Sequence, residues 1–335
     1  MKYGQGRFNP AKILSLPCFD RPLISEKASV LMTTYKVIGR RQFLKSSIVL
    51  TAGIGFGKVL PAIGAQVTPV KLSTPAMEKL GWKLSVQLYT YRRFPLFEAL
   101  DKVAALGIRH IEPLSALKVD SHRPDVRANE DMPADVRKEF KEKLAERGMF
   151  LSSIFANFNG TPGQAKRLFE FCKEMGTGTI VAEPPAEALD MIEKLCLEYQ
   201  INVAFHNHAR GQSPYWKPEQ VLAACQNRTE RMGACADAGQ WARSGLDPVE
   251  SLRKLKGRII SFHLKDIAKK NDPNCRNTVF GEGEGDFANV LQELKRLGYR
   301  GLTTIDFEHD TPALQEDMAR NVAYMEERAK ELLNA

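Results

Sequence analysis

The sequence has few of the residues that build disulfide scaffolds or thiolate metal centres. It contains six cysteines in 335 residues and no C-x-x-C pair. Cys18 lies in the first 65 residues, so an odd number of cysteines, five, remains in the rest of the chain. An odd count without paired spacing indicates neither a disulfide framework nor a zinc-thiolate site.

Residues 66–335, most of the chain, carry no formal net charge. Residues 1–65 carry ten of the 48 Lys and Arg residues but only two of the 40 Asp and Glu residues. Residues 66–335 therefore hold equal numbers of each sign, and the overall excess of eight positive charges belongs to the first segment. A neutral main segment lacks the basic footprint of nucleic-acid binding, so we expect no nucleic-acid partner.

Long hydrophobic runs are also missing. The uncharged run from Ser46 to Gly57 is interrupted by glycines and is shorter than the roughly 20 apolar residues of a membrane span. It follows Arg40-Arg41-Gln42-Phe43-Leu44-Lys45 and precedes small residues, which is the layout of a secretory signal. The R-R-x-F-L-K pattern resembles a twin-arginine signal.

We therefore predict that residues 1–65 are a cleavable leader read by the twin-arginine export machinery, which carries folded proteins. The mature chain, residues 66–335, is expected in the periplasm or outside the cell, without a stable membrane anchor. The alternative is that the apolar run is itself an anchor. Met32 lies eight residues before Arg40 and is a candidate for the true start of translation.

Beyond residue 65, short runs of β-forming residues alternate with longer amphipathic stretches, the pattern of repeated βα units. No G-x-G-x-x-G follows the first predicted strand, which argues against an open dinucleotide-binding sheet. Eight strands in about 250 residues indicate an α/β fold of one (β/α)8 TIM barrel. The predicted strands are 84–88, 109–112, 150–155, 179–183, 202–206, 232–236, 259–263 and 302–307.

Imidazoles and carboxylates follow the later predicted strands. In a (β/α)8 barrel these strand ends share one face, where the chemistry of such barrels takes place. Nitrogen and oxygen ligands that converge there suit one divalent ion such as Mn²⁺, Co²⁺, Zn²⁺ or Mg²⁺. The alternative is that each acid caps a helix or pairs with a base. The residues at these strand ends are Glu183, His206, His208, Asp237, His263, Lys265, Asp306 and Glu308.

The stretches ADAGQWARSGLDPVESLRKLKGRIISFHLKD and GEGEGDFANVLQELKRLGYRGLTTIDFEHD resemble the xylose-isomerase-like, sugar phosphate isomerase/epimerase family of TIM barrels. The resemblance implies one divalent ion held by carboxylates from strands five and eight, an Asp from strand six and a His from strand seven. Asp237 and His263 match the last two positions. At strand five the match falls on His206, so Glu183 from strand four is the alternative ligand.

At strand eight the match falls on Asp306, with Glu308 on the same side of the strand. Gln240 stands where some members have a histidine, which removes one imidazole from the family pattern. We predict Glu183, His206 and Glu308 as acid/base residues. The expected contacts to substrate oxygens are His208, Gln240, Lys265 and Trp216. The alternative for Lys265 is an ion pair with Asp266 or with a helix acid.

The resemblance implies enediolate chemistry on a small carbohydrate: a metal ion holds a carbonyl and its neighbouring hydroxyl while a base removes the adjacent proton. With export, this predicts an isomerase or epimerase for an unphosphorylated sugar or keto-sugar. The alternative is a 3-keto-glycoside lyase or hydrolase. An endonuclease IV-like nuclease would need more histidines and a basic groove, and a binding protein would need no metal. A homodimer is also expected, because barrels of this family often pair.

Overall fold

The computed structural model describes residues 72–335, so the predicted leader, residues 1–65, lies outside the described residues. Within the described part, eleven strands are present, nine of which form one parallel sheet. The strands are β1 Trp82–Gln87, β2 His110–Glu112, β3 Phe150–Leu151, β4 Ser153–Phe155, β5 Thr179–Ala182, β6 Asn202–His206, β7 Met232–Asp237, β8 Ile259–Leu264, β9 Asp266–Ile267, β10 Asn277–Thr278 and β11 Gly301–Ile305.

The parallel sheet closes on itself. Its order is β3-β2-β1-β11-β8-β7-β6-β5-β4, and the two terminal strands, β3 and β4, are separated in the chain only by residue Ser152. These two strands are the halves of one barrel strand, of which β3 pairs with β2 and β4 pairs with β5. The barrel therefore has eight strands, and each overlaps a strand predicted from the sequence. The (β/α)8 prediction is confirmed.

One helix, α1, precedes the first strand, and the other helices follow barrel strands and cover the outside of the sheet. They are α1 Pro75–Leu80, α2 Leu96–Ala105, α3 Ala134–Glu146, α4 Pro162–Met175, α5 Leu189–Tyr199, α6 Pro218–Cys225, α7 Ala238–Arg243, α8 Pro248–Lys254, α9 Phe287–Arg296 and α10 Leu314–Asn334. Proline starts several of these helices, because the first turn needs no N–H donor. Within residues 72–335, none of the helices combines the length and apolar character needed to cross a bilayer.

Two separate layers of apolar side chains hold the barrel together. The larger core lies between the strands and the helices. A smaller cluster fills the barrel interior and includes Val181, Ala204 and Cys235, with Phe155 and Ile260 packed against it. Because side chains alternate along a strand, the next inward position is two residues further on. At the ends of β5, β6 and β7 these next positions are 183, 206 and 237, so the interior packing directs those side chains into the barrel mouth.

The glycine-rich loop before α9 wraps a carboxylate of the chain itself. The backbone N–H groups of Gly281, Gly283 and Gly285 donate to Asp266, at distances of 2.9–3.1 Å. A Cβ on Gly283 would lie 2.4 Å from the Asp266 Oδ1 atom and 2.3 Å from the Ile267 carbonyl oxygen, so only glycine fits this close approach. The carboxylate occupies the anion-binding concavity that these N–H groups form, and the loop is fixed beside β9.

Candidate active site

A cluster of two imidazoles and two carboxylates lies at the carboxyl ends of the later barrel strands. His206, Asp237 and His263 belong to β6, β7 and β8, and Asp306 directly follows β11. One potential ligand atom from each of the four lies within 4.8 Å of those from the other three. All four side chains are buried. We call this group the central cluster.

The sheet register explains why these residues meet. Asp237 on β7 pairs in register with His263 on β8, and His263 pairs with Thr304, two residues before Asp306 on the next strand. His263 Nδ1 consequently lies 3.4 Å from Asp306 Oδ2 and 4.0 Å from Asp237 Oδ2. His206 Nε2 lies 3.6 Å from the same Asp237 oxygen. The structure thus brings together the four predicted ligands of strands five to eight.

Lys265 places a positive charge inside the central cluster. Its ammonium nitrogen lies 2.9 Å from both Asp237 Oδ2 and Asp306 Oδ2, and 3.1 Å from Glu308 Oε1. Burial lowers the pKa of this ammonium, but the three surrounding carboxylates outweigh burial and hold the pKa above its usual value. The alternative pairing of Lys265 with Asp266 is wrong, because the Asp266 carboxylate is taken by the glycine-rich loop.

Glu308 lies beside the central cluster and outside its four-ligand group. Its Oε1 atom contacts Lys265, and its Oε2 atom accepts a hydrogen bond from Arg243 Nη1 at 3.0 Å. The Arg243 guanidinium is buried and also donates to Asn277 and to the Cys275 carbonyl. Sequence reasoning missed Arg243, since it lies on helix α7 and follows no strand. Of the two alternatives at strand eight, Asp306 is the one that the structure brings into the central cluster.

A second group shares His206 with the central cluster and consists of Glu183, His206 and His208; we call it the lateral cluster. Glu183 Oε1 lies 3.4 Å from His206 Nδ1 and is also in contact with His208 Nδ1. Burial raises the pKa of Glu183, but its hydrogen bonds with the two imidazoles outweigh burial and lower it to about 2. The Phe155 ring packs edge-on against His206, which excludes water from that side.

The two clusters set the charge of His206. Burial lowers its pKa, but the nearby carboxylates of Asp237 and Glu183 outweigh burial, so the pKa of His206 lies above its usual value. A carboxylate therefore faces each nitrogen of this ring, one in each cluster. His206 therefore belongs to both groups, the predicted metal ligands and the predicted acid/base residues.

Glu112 is a further site residue to which sequence reasoning assigned no role. It is fully buried at the end of β2, where its Oε1 atom lies 2.9 Å from His263 Nε2 and its Oε2 atom accepts from Ser153 Oγ at 2.6 Å. This contact orients the ring so that Nδ1 faces the central cluster. Glu112 could have been predicted from the sequence, because it is an acid at the end of a predicted strand, like the candidate site residues named above.

The remaining predicted substrate contacts lie in different surroundings. Gln240 is buried in the first turn of α7, where its backbone N–H donates to Asp237 Oδ1 at 2.9 Å and so holds that carboxylate. His208 is about one-third exposed, at 35%. The indole of Trp216 is half-buried, and the Arg210 guanidinium lies 4.8 Å from its ring centre. Among the described contacts, none joins Trp216 to either cluster.

The central cluster has the donor chemistry for a divalent ion. His206 Nε2, His263 Nδ1 and Asp306 Oδ1 are buried and have no hydrogen-bond partner among the described residues. Buried polar atoms normally have a partner, so three such atoms on residues of one cluster fit a divalent cation as their partner. Two imidazole nitrogens and two carboxylates suit Mn²⁺, Co²⁺ or Zn²⁺. An ion there would share Asp237 and Asp306 with the Lys265 ammonium.

Comparison with known proteins agrees with this architecture. A family model described as the xylose isomerase-like TIM barrel matches residues 100–328. The chain belongs to this family. A solved structure of an uncharacterised protein from Parabacteroides distasonis is 30% identical, with a TM-score of 0.60, over 73% of this chain and 98% of that chain.

Curated proteins of the family match over a shorter length. The rhizopine catabolism protein MocC of Rhizobium meliloti is 30% identical over 135 residues, which cover 36% of this chain and 41% of that protein. An inosose dehydratase of Lactiplantibacillus plantarum is 25% identical over 138 residues, which cover 37% and 46%. The chain therefore spans less than half the length of these two relatives.

The charge balance of the central cluster can be tested with Lys265→Met in the presence of a chelator. Removal of the ammonium leaves Asp237 and Asp306 buried without their cation, so the free energy of unfolding at pH 7 should fall by about 3–5 kcal/mol. In the wild type, burial raises the pKa of each carboxyl, but Lys265 outweighs burial and lowers it. This stability is present above the unfolded pKa and is lost as pH falls through the lower folded value.

The deficit of Lys265→Met should accordingly shrink in acid, which urea unfolding at several pH values would measure. Lys138→Met removes an exposed lysine and serves as the matched control, with an expected change below about 1 kcal/mol. Equal loss in the two variants would show that Lys265 does not balance the buried carboxylates.

Proposed function

We propose that the protein is a metal-dependent carbohydrate isomerase or epimerase, which acts through an enediolate on an unphosphorylated sugar or keto-sugar. The observation that carries the proposal is the contact between two clusters: a nitrogen- and carboxylate-rich group that suits a divalent ion, and an acid/base group that shares His206 with it. Removal of a proton next to a carbonyl needs both functions side by side.

The proposed ion would be held by His206, Asp237, His263 and Asp306. It would supply a Lewis acid that favours negative charge on a substrate carbonyl oxygen. The protein residues around it have separate tasks. Glu112 holds the ring of His263, and the backbone N–H of Gln240 holds the carboxylate of Asp237. Such supporting contacts keep a ligand set in place before the substrate arrives.

The proton is moved by residues of the lateral cluster. Glu183 has a low pKa while both imidazoles contact it, so it is ionised at neutral pH and able to hold a proton-accepting His208 in one orientation. His208 is the more exposed of the two histidines and faces a substrate more readily. Glu308 is a second acid/base candidate, and Lys265 and Arg243 hold its two oxygens in place. The Lys265 ammonium, predicted as a contact to a substrate oxygen, is buried and faces three carboxylates instead.

A second candidate function is a lyase, of the kind that removes a glycosidic group from a 3-keto-glycoside. Elimination begins with the same proton abstraction and ends with departure of a group from the next carbon. The similarity to inosose dehydratases supports this branch, because a dehydratase removes a hydroxyl group as water. The identity of the leaving group and the fate of the proton distinguish the two candidates.

Deuterium exchange tests the proposed chemistry directly. The mature chain from Gln66, loaded with Mn²⁺ or treated with a chelator, is incubated in D₂O with keto-sugars and a 3-keto-glucoside, and NMR follows the hydrogen next to the carbonyl. We expect exchange only with metal, and a loss of about 10²–10⁴ in rate for Glu183→Gln. His263→Ala and Asp237→Ala should abolish the exchange, with circular dichroism as the check on folding.

The product of this reaction separates the two candidates. An isomerised or epimerised sugar supports the first, and a free aglycone supports the second. The absence of exchange in a metal-loaded, folded protein with every substrate would refute both, because each begins with C–H cleavage.

Metal binding itself can be measured apart from turnover. Glu112→Gln removes the charged acceptor that orients His263, so we expect the affinity for Mn²⁺ to fall by about 10- to 100-fold in calorimetric titration. Glu142→Gln is the matched control, because Glu142 is exposed on α3. An unchanged affinity in Glu112→Gln would separate His263 from the proposed ion.

Export is a further part of the proposal, and it rests on the sequence of residues 1–65. Replacement of both signal arginines, Arg40→Lys and Arg41→Lys, should retain the full-length precursor in the cytoplasm, whereas the unchanged chain appears in the periplasmic fraction in a shortened form. Cell fractionation and N-terminal sequencing measure both. A shortened periplasmic form in the double variant would exclude the twin-arginine route.

A further inference from the structure

A polar pocket lies beside the candidate site at the same end of the barrel. It has a volume of about 330 Å³, at the low end of the roughly 300–1,000 Å³ of small-ligand pockets, which suits one compact unit. Its walls come from the segment between β2 and α3 and from the segment between β4 and α4, including the start of that helix. Both segments begin where barrel strands end.

Phe155 and Asn157, two residues apart in the chain, connect this pocket with the candidate site. Asn157 lines the pocket and is two residues beyond Phe155. The Phe155 ring centre lies 5.1 Å from that of His206 and 6.2 Å from that of His208. Two residues of extended chain span at most about 7 Å. The pocket wall therefore includes a residue that follows closely after the strand whose phenylalanine ring packs against the two imidazoles.

The charges of the pocket cancel. Arg127 and Arg167 line it together with Glu130 and Asp131. Arg167 Nε lies 3.1 Å from Asp131 Oδ1, so one of the two cations is already paired. An anionic ligand would meet the carboxylates and a cationic ligand the guanidiniums, and neither gains a net Coulomb attraction. The pocket therefore favours an uncharged ligand.

The neutral groups of the pocket offer hydrogen bonds of both kinds. The side-chain amide of Asn157 is exposed and makes no hydrogen bond among the described residues, so both its donors and its acceptor are available. The buried Gln164 holds the loop rigid: its amide donates to the Asn157 carbonyl at 2.9 Å and to Glu130 at 2.7 Å, and its oxygen accepts from Asn159. A preorganised wall of this kind matches the hydroxyl groups of a sugar.

We propose that this pocket binds a second sugar unit, so that the substrate is a keto-disaccharide or a glycoside with a hydrophilic aglycone. The reactive ring lies at the two clusters and the second unit contacts Asn157. This inference rests on the proposed function for the position of the reactive ring. It adds a substrate class, because a free monosaccharide would leave the pocket without a ligand.

The test compares a 3-keto-monosaccharide with a disaccharide that carries the same 3-keto ring. In the wild type, we expect kcat/KM for exchange to be about tenfold higher for the disaccharide, the effect of one or two neutral hydrogen bonds. Asn157→Leu keeps the side-chain size and removes the amide. It should bring the disaccharide down to the monosaccharide value and leave the monosaccharide unchanged. Asn334→Leu, at the exposed end of α10, is the matched control.

Binding supplies a readout that does not depend on turnover. The corresponding disaccharide, with an alcohol in place of the ketone, should bind the wild type about tenfold more tightly than its monosaccharide in NMR titration, and Asn157→Leu should remove the difference. If no ketone exchanges but this binding difference persists, the proposed function fails and the pocket assignment stands. If both ketones exchange equally and Asn157→Leu changes nothing, the pocket assignment is overturned and the proposed function stands.

A charged ligand is the remaining arm of the test. Inorganic phosphate should not compete with the alcohol disaccharide at millimolar concentration, since the pocket carries no net charge. Competition that disappears in Arg167→Met would overturn the assignment of an uncharged second unit.

Discussion

The structure depends on how buried negative charge is balanced at the mouth of the barrel. Eight parallel strands end at one face, and the later strands deliver Asp237 and Asp306 into a space from which water is largely excluded. Two buried carboxylates so close together repel each other and lose hydration, and this combination is costly without a cation. The Lys265 ammonium, 2.9 Å from each, supplies that cation. The same carboxylates are the oxygen ligands of the proposed metal ion, so structural and chemical requirements meet in one group of atoms.

The supporting residues show how the barrel keeps this arrangement rigid. Glu112 holds His263 from the second strand, and Glu183 holds His206 from the fourth barrel strand. Each imidazole of the central cluster is therefore in contact with a carboxylate from a different strand end, which leaves its other nitrogen facing the cluster. On the outer side, the glycine-rich loop surrounds Asp266 and keeps that acid away from Lys265. Lys265 is then available to the inner carboxylates.

Membership of the xylose isomerase-like family fixes the architecture more firmly than the reaction, since one barrel supports many chemistries. The features that narrow the chemistry belong to this chain: a histidine on the fifth strand shared by two clusters, a lysine among the acids, and a neutral polar pocket next to the imidazoles. Together they support the proposed proton abstraction and the proposed second sugar unit. A phosphorylated substrate would find little net positive charge here, because Lys265 and Arg243 are both engaged by carboxylates.

The sequence by itself determined the barrel and the residues at its mouth. Strand periodicity, helix-ending glycines and strand length are local properties, so eight strands and the inward positions 183, 206, 237, 263 and 306 were predictable. Only the tertiary structure decided which of these side chains touch. The contact between Glu112 and His263 joins residues 151 positions apart. Lys265 contacts carboxylates at the ends of two other strands. Arg243 and the polar pocket likewise arise from helices and loops. The physical reason is that periodicity fixes the face on which a side chain lies, whereas register and packing across the closed barrel fix its partner.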